Sequence, residues 1–233
     1  MTCDIFVRSY AGDFEWLTYC LRSIQRFAKG FRKTIVVVPH GQHPPTGTAE
    51  TVFFIHEKMD GYLDQQSCKL HADSFTDADY ILYTDSDTIF TREITPSDCV
   101  DGNRANWLYT PYSSLTGDNA QFWRAVTEKA MKRPVEFEFM RRHPFCVPRW
   151  ALEGLRQWFW RVHGMSLENY IAAQPSKDFS EWNIMGAWLW NHHRERINWT
   201  NTDVELGVPF VHQHWSHGGF SDEIQKNLEL ALA

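Results

Sequence analysis

Apolar residues follow two rhythms in the first half of the chain. Cys3 to Val7, Thr34 to Val38, Thr51 to Ile55 and Ala78 to Thr84 are short runs rich in Ile, Val, Phe and Tyr. Unbroken apolar runs of that length predict strands, and the all-apolar Ile35 to Val38 predicts burial on both faces. Between the first two, Leu17, Cys20, Leu21, Ile24 and Phe27 recur at helical spacing, with Asp13 ahead as an N-cap and Gly30 behind as a stop. Pro39 to Gly47 reads as a loop. Tyr62 to Phe75 reads as a helix with Gln65, Gln66 and Lys69 on its polar face. The order β-α-β-β-α-β predicts an α/β fold with a mostly parallel, Rossmann-like central sheet flanked by helices.

The second half is less regular and more helical. Trp107 to Thr110 and Pro134 to Phe139 suggest strands, and Asp118 to Lys132 a helix. Apolar periodicity predicts helices over Arg149 to His163, over Ser166 to Ala173 with Ser166 as cap, and from Ser180 through Trp190 with Ser180 as cap. Val208 to Val211 predicts a late strand, and a short amphipathic helix follows Ser221. No repeat, low-complexity tract or linker interrupts the 233 residues, which read as one domain.

Tyr80 to Thr84 ends in Asp85-Ser86-Asp87-Thr88. Residues two apart on a strand point to one side, so the two carboxylates converge just past its end. Their repulsion and desolvation call for a cation, and a hard divalent ion suits oxygen ligands. Asp-x-Asp also occurs in ordinary turns. In open parallel sheets ligands bind beyond the carboxyl ends of the strands. Arg8-Ser9-Tyr10-Ala11-Gly12-Asp13, which follows the first strand, belongs to the same rim.

Composition narrows the choices. A net charge of -6 argues against a broad nucleic-acid-binding surface, while Lys132, Arg133, Arg141 and Arg142 leave a local basic patch. The five cysteines show neither zinc-ligand nor redox spacing, which suggests reduced buried thiols and a cytoplasmic protein. No run is long enough to span a bilayer.

The chain resembles the GT-A-fold glycosyltransferases, and within them a small group of compact members. The residues that carry this are Tyr10-x-x-Asp13 after the first strand, Gly61-Tyr62-Leu63-Asp64-Gln65-Gln66, Asp85-x-Asp87, Arg142-His143-Pro144-Phe145, and Phe179-Ser180-Glu181-Trp182-Asn183 with Gly186. The resemblance implies a single GT-A-like domain, with residues 1–110 the nucleotide-sugar half and 111–233 the acceptor side. It also implies a nucleotide-sugar donor, usually UDP-linked, with Mn²⁺ or Mg²⁺ on its diphosphate.

Site residues follow from the resemblance and from their chemistry. Asp85 and Asp87 are expected to hold the ion, with His214 or His212 completing the site. His214 is preferred because the Trp-Ser-x-Gly-Gly turn beyond it can reach back over the site. Arg8, Tyr10, Asp13, Gln66, Lys69, Ser86 and His217 are expected at the donor, with a plain helix cap the other reading of Asp13. Arg142 and His143 would meet phosphate or an anionic acceptor, and Trp182 and Trp215 would stack on sugar faces. Glu181 between Phe179 and Trp182 is the expected base, its pKa raised by partial burial. A saccharide acceptor is favoured, with a modified DNA base left open. Two rivals remain: a metal-dependent nucleotidyl or phosphoryl transferase using the same acidic pair, and a non-catalytic nucleotide-sugar binder.

Overall fold

The apolar runs of the first half need cover on both faces, and helices supply it. In the computed structural model, which describes residues 1–45, 51–117, 121–205 and 207–232, β1 (Cys3–Arg8) leads through a 3-10 turn into α1 (Phe14–Phe27). Then come β2 (Thr34–Pro39), β3 (Thr51–Ile55), α2 (Gly61–Lys69), β4 (Tyr80–Asp85) and β5 (Thr88–Phe90). They are followed by α3 (Pro96–Cys99), β6 (Val100–Asp101), β7 (Arg104–Pro111), α4 (Phe122–Met131), β8 (Phe137–Glu138) and β9 (Phe145–Pro148). The last elements are α5 (Arg149–His163), α6 (Leu167–Ala172), α7 (Glu181–His192), β10 (Ile197–Asn201), β11 (Val211–Gln213) and α8 (Asp222–Leu232).

The central sheet has the order β3-β2-β1-β4-β9. Its first four strands are parallel, and β9 joins β4 antiparallel. The fold is therefore the α/β type that the alternation predicts. Every residue of β1 and β2 is buried, as parallel strands covered on both faces require. The register sets Arg8 opposite Asp85, so β1 and β4 end side by side and their trailing turns share one rim. A second sheet, β10-β7-β6 with β8 on β7, and the β11-β5 pair complete the molecule.

Several elements differ from their predicted bounds. The α2 helix stops at Lys69, not Phe75, because Arg156 donates to the Leu70 carbonyl at 2.8 Å while clamping Asp73. That satisfies the helix end from outside. The late strand shifts from Val208–Val211 to Val211–Gln213, where it pairs with β5. The run from Pro134 narrows to Phe137–Glu138. The predicted start of the fourth helix at Asp118, and the end of the loop at residues 46 and 47, lie outside the described residues. Ser166 caps α6 by accepting from the Asn169 N–H. Asp13 and Ser180 occupy N-cap positions without capping, since Asp13 accepts from Ser86 and Ser180 accepts from the Asn183 amide. All five cysteines are free and buried. Among the described residues no helix is long and apolar enough to cross a membrane.

Candidate functional site

A cleft of about 700 Å³ opens where β1 and β4 end. Arg8, Tyr10 and Asp13 form one wall, Asp85, Ser86 and Asp87 the floor, and Trp215, Ser216 and His217 the rim opposite. The α2 start adds Asp60, Gly61, Tyr62 and Gln65. Gly12 permits this wall, because a Cβ there would lie 2.5 Å from the Tyr10 ring folded over it. Burial pushes the Tyr62 phenol up to about 12, so it faces the cleft as a neutral donor.

The two aspartates of the couplet have opposite fates. Asp85 Oδ1 pairs with Lys69 Nζ at 2.8 Å and Asp85 Oδ2 with His143 Nε2 at 3.0 Å. Burial alone would raise its pKa, but Lys69 and His143 outweigh that and hold the carboxyl well below the usual range. Asp87 Oδ2 accepts the Ser216 N–H at 2.8 Å. Its Oδ1 is buried with no hydrogen-bond partner. Burial raises the Asp87 pKa, the Ser216 N–H opposes this, and Asp85 adds to the rise. Asp13 also titrates high, mainly through burial, with Asp87 and Asp85 adding repulsion and Ser216 and Ser86 opposing.

The four residues expected to share a cation are thus not brought together. Among the described residues no group of three or more His, Cys, Asp or Glu side chains is arranged to hold a metal ion. Both Asp85 oxygens are occupied, one by the Lys69 ammonium and one by the His143 ring. His212 lies in β11 opposite Ile89. The His214 ring packs 5.2 Å from Trp16 and 4.4 Å from His212, and neither histidine lines the cleft. The turn beyond them does reach back, and it brings His217 instead.

Glu181 is not a free base. It is buried, and its Oε1 lies 3.0 Å from Lys69 Nζ. Its backbone N–H donates to Gln66 Oε1, so Gln66 and Lys69 point at α7 and not at the cleft. Gln66 and Lys69, expected at the donor, are instead the lining of an internal ion network, although Gln and Lys are seldom buried. Trp182 is buried core, stacked on Phe145 at 4.5 Å, with Lys69 over its ring. Trp215 is 61% exposed and on the cleft, as a sugar-stacking ring must be.

The basic cluster disperses. Arg141 pairs with Glu138, Arg142 donates to the Gly207 carbonyl, and His143 faces Asp85. Arg142 lies outside the cleft. Arg8 lines the cleft but is buried, pairing with Glu57 at 3.0 Å and Asp64 at 3.6 Å. Glu57, Asp60 and Ser216 are site residues that the sequence did not single out. Ser216 lies within the His212 to Gly219 run, whereas Glu57 and Asp60 sit in a polar stretch with no periodic or motif signal.

The solved structure of 2-C-methyl-D-erythritol 4-phosphate cytidylyltransferase from Thermus thermophilus aligns over 100% of both chains, with a TM-score of 0.52 and 12% sequence identity. At that identity the similarity is one of fold. No curated protein matches the sequence. Residues 21–217 match a sequence family described only as of unknown function, DUF6492. That span includes β4, the Asp85-Ser86-Asp87 floor and the Trp215-Ser216-His217 rim, and the chain belongs to this family.

Proposed function

We propose that the protein is a glycosyltransferase that takes a nucleotide-diphosphate sugar, UDP-linked, in the cleft at the end of β4. The observation that carries this is Asp87, whose Oδ1 is buried and unpaired on the cleft floor with the Asp13 carboxylate nearby. The Asp87 charge adds to the rise in the Asp13 pKa, and two carboxylates in that relation fit a divalent cation between them. Mg²⁺ and Mn²⁺ sites on nucleotides commonly use one or two protein carboxylates and take their other ligands from phosphate oxygens and water. Asp87 and Asp13 would hold the ion, and when bound it neutralises charge on the departing diphosphate.

The chain's own residues do the rest. Tyr10, half-exposed over Gly12, offers a face for the base. Ser86, Ser216 and His217 offer donors to ribose and phosphate. Trp215 covers the sugar. Asp85, fixed by Lys69 and His143, stays ionised and accepts sugar hydroxyls. Glu181 keeps Lys69 charged and aimed at Asp85, a positioning role in place of the proton transfer expected of it.

The fold similarity to a cytidylyltransferase favours a second reading, nucleotidyl transfer from a nucleoside triphosphate. Thermal-shift and turnover measurements with UDP-sugars and with nucleoside triphosphates, with and without Mn²⁺, separate the two. Glycosyl transfer or hydrolysis releases UDP, whereas nucleotidyl transfer releases pyrophosphate. Metal-dependent stabilisation by UDP that is lost in Asp87→Asn supports the first reading. Pyrophosphate release without UDP release would replace it with the second, and UDP-sugar binding with no turnover on any acceptor would leave a binding protein.

A further inference from the structure

Three helices, α4, α5 and α7, end side by side away from the cleft, and their ends carry exposed Lys132, Arg133, Arg161 and His192. Lys132 Nζ donates to the Val162 carbonyl at 2.7 Å, and the His163 ring meets the Ala130 carbonyl at 2.8 Å, which joins the ends of α4 and α5. Trp158 lies 6.1 Å from the His163 ring and 5.9 Å from the His192 ring, which brings the end of α7 to the same surface. Burial lowers the His192 pKa, and the His193, Arg133 and Arg161 charges beside it add to the fall. The other end of α7 is Glu181, against Lys69 below the cleft. Its 12 residues put about 18 Å between the two ends.

Apolar side chains stand out among these charges. Trp160 is 61% exposed and Met165 39%. Both belong to the turn that ends α5, where the Gly164 N–H closes on the Trp160 carbonyl at 2.9 Å. Helix dipoles favour cations in last turns, which accounts for the charge but not for an exposed indole beside it. Arg124, Arg141 and Arg156 each pair with an acid, whereas Arg133 and Arg161 have no ion-pair partner among the described residues. Charge complementarity calls for an anionic partner. Three permanent charges in a chain of net charge -6 are few for a nucleic-acid backbone, and Met165 offers no flat face to a base. An anionic bilayer takes both halves of the patch, Lys and Arg at its charged surface and Trp at headgroup level.

We propose that this face docks on an anionic phospholipid bilayer, with Lys132, Arg133 and Arg161 against the headgroups and Trp160 and Met165 set into the interface. The attachment is peripheral and leaves the chain on one side of the bilayer. It goes beyond the reading of the cleft and is measured with neither nucleotide nor metal.

The test is co-sedimentation of the full chain with vesicles of phosphatidylcholine alone and of phosphatidylcholine with phosphatidylserine. The mixed vesicles are expected to bind about a hundredfold tighter, at about fivefold for each of three charges, and to lose the protein as salt is raised. Arg133→Gln combined with Arg161→Gln is expected to weaken that binding about 25-fold, and Trp160→Ala about tenfold. The three side chains are exposed, and melting temperatures check that each variant folds. Equal binding to the two kinds of vesicle, no binding at low salt, or unchanged binding in both variants would each overturn the assignment. So would binding of a DNA duplex without binding of vesicles. The comparisons of lipid and salt need no variant, so misfolding does not confuse them. Loss of UDP binding in Asp87→Asn bears only on the cleft.

Discussion

Asp85 and Asp87 are two positions apart, and their pKa values shift in opposite directions. Asp85 gains a lysine ammonium and an imidazole as partners, while Asp87 gains one backbone N–H and an unpaired oxygen. Lys69 is the hinge of the first arrangement, since it answers both Asp85 and Glu181 from a site that is 5% exposed. Lys69→Met leaves Glu181 without its charge partner and Asp85 with His143 alone, and is expected to cost about 3–5 kcal/mol in denaturant unfolding. A loss below about 1 kcal/mol, the level of an exposed pair, would show that the network is not buried. The pH behaviour of Asp87 and Asp13 has the opposite sign to that of Asp85. Their folded pKa values lie above 3.8, so the metal-free fold prefers them neutral and loses their contribution as pH rises from 3.8 through the raised values. A cation requires them ionised. Metal-dependent nucleotide affinity is therefore expected to fall on acidification with a midpoint above 3.8, as read by calorimetry across pH. A midpoint at or below 3.8 would remove both residues from the ion site. The couplet was legible in the sequence; its partners were not, because Ser216 is 129 positions from Asp87 and Glu181 is 112 from Lys69.

At the level of elements, the α7 helix meets the segment before β9 at very short range. A Cβ on Gly186 would lie 2.3 Å from Phe139 Cβ, an atom too close to the backbone to swing aside. Gly186→Ala would gain about 1 kcal/mol of helix propensity. The clash is larger, and the net expectation is a loss of about 1–3 kcal/mol in thermal or denaturant melts. A stabilised variant would mean that α7 sits farther from Phe139. Periodicity located the elements that carry strong patterns: α5 spans the Arg149–His163 predicted for it, and β2 runs one residue past its apolar run. The β9 and β10 strands were missed. Phe145–Pro148 is four residues behind a proline, and Ile197–Asn201 is mostly polar. The first does not alternate and the second alternates only over Ile197 to Thr200, and each is a strand because a neighbour, β4 or β7, offers it an edge.

At the scale of the whole molecule, the cleft places acidic floor residues in a chain of net charge -6. An anionic nucleotide enters such a site unfavourably without a cation, so UDP stabilisation is expected to require Mn²⁺ or Mg²⁺. Asp87→Asn is expected to abolish that metal-dependent stabilisation while leaving the metal-free melting temperature unchanged or higher, since it removes a buried, repelled charge. Asp85→Asn is expected to lower the melting temperature, because buried Lys69 loses one of its two counter-charges. Equal effects of the two substitutions on stability and on metal response would contradict the division of labour between them.

Residue order alone located the parallel strands, the long helix and the rim where β1 and β4 end, since burial on two faces and helical periodicity leave local marks. Which aspartate keeps an open oxygen, which histidine reaches the cleft, and whether Glu181 is a base or an ion-pair partner depended on the folded chain. Charge pairing acts over a few ångströms in space between residues a hundred or more apart in sequence, and no local pattern records it.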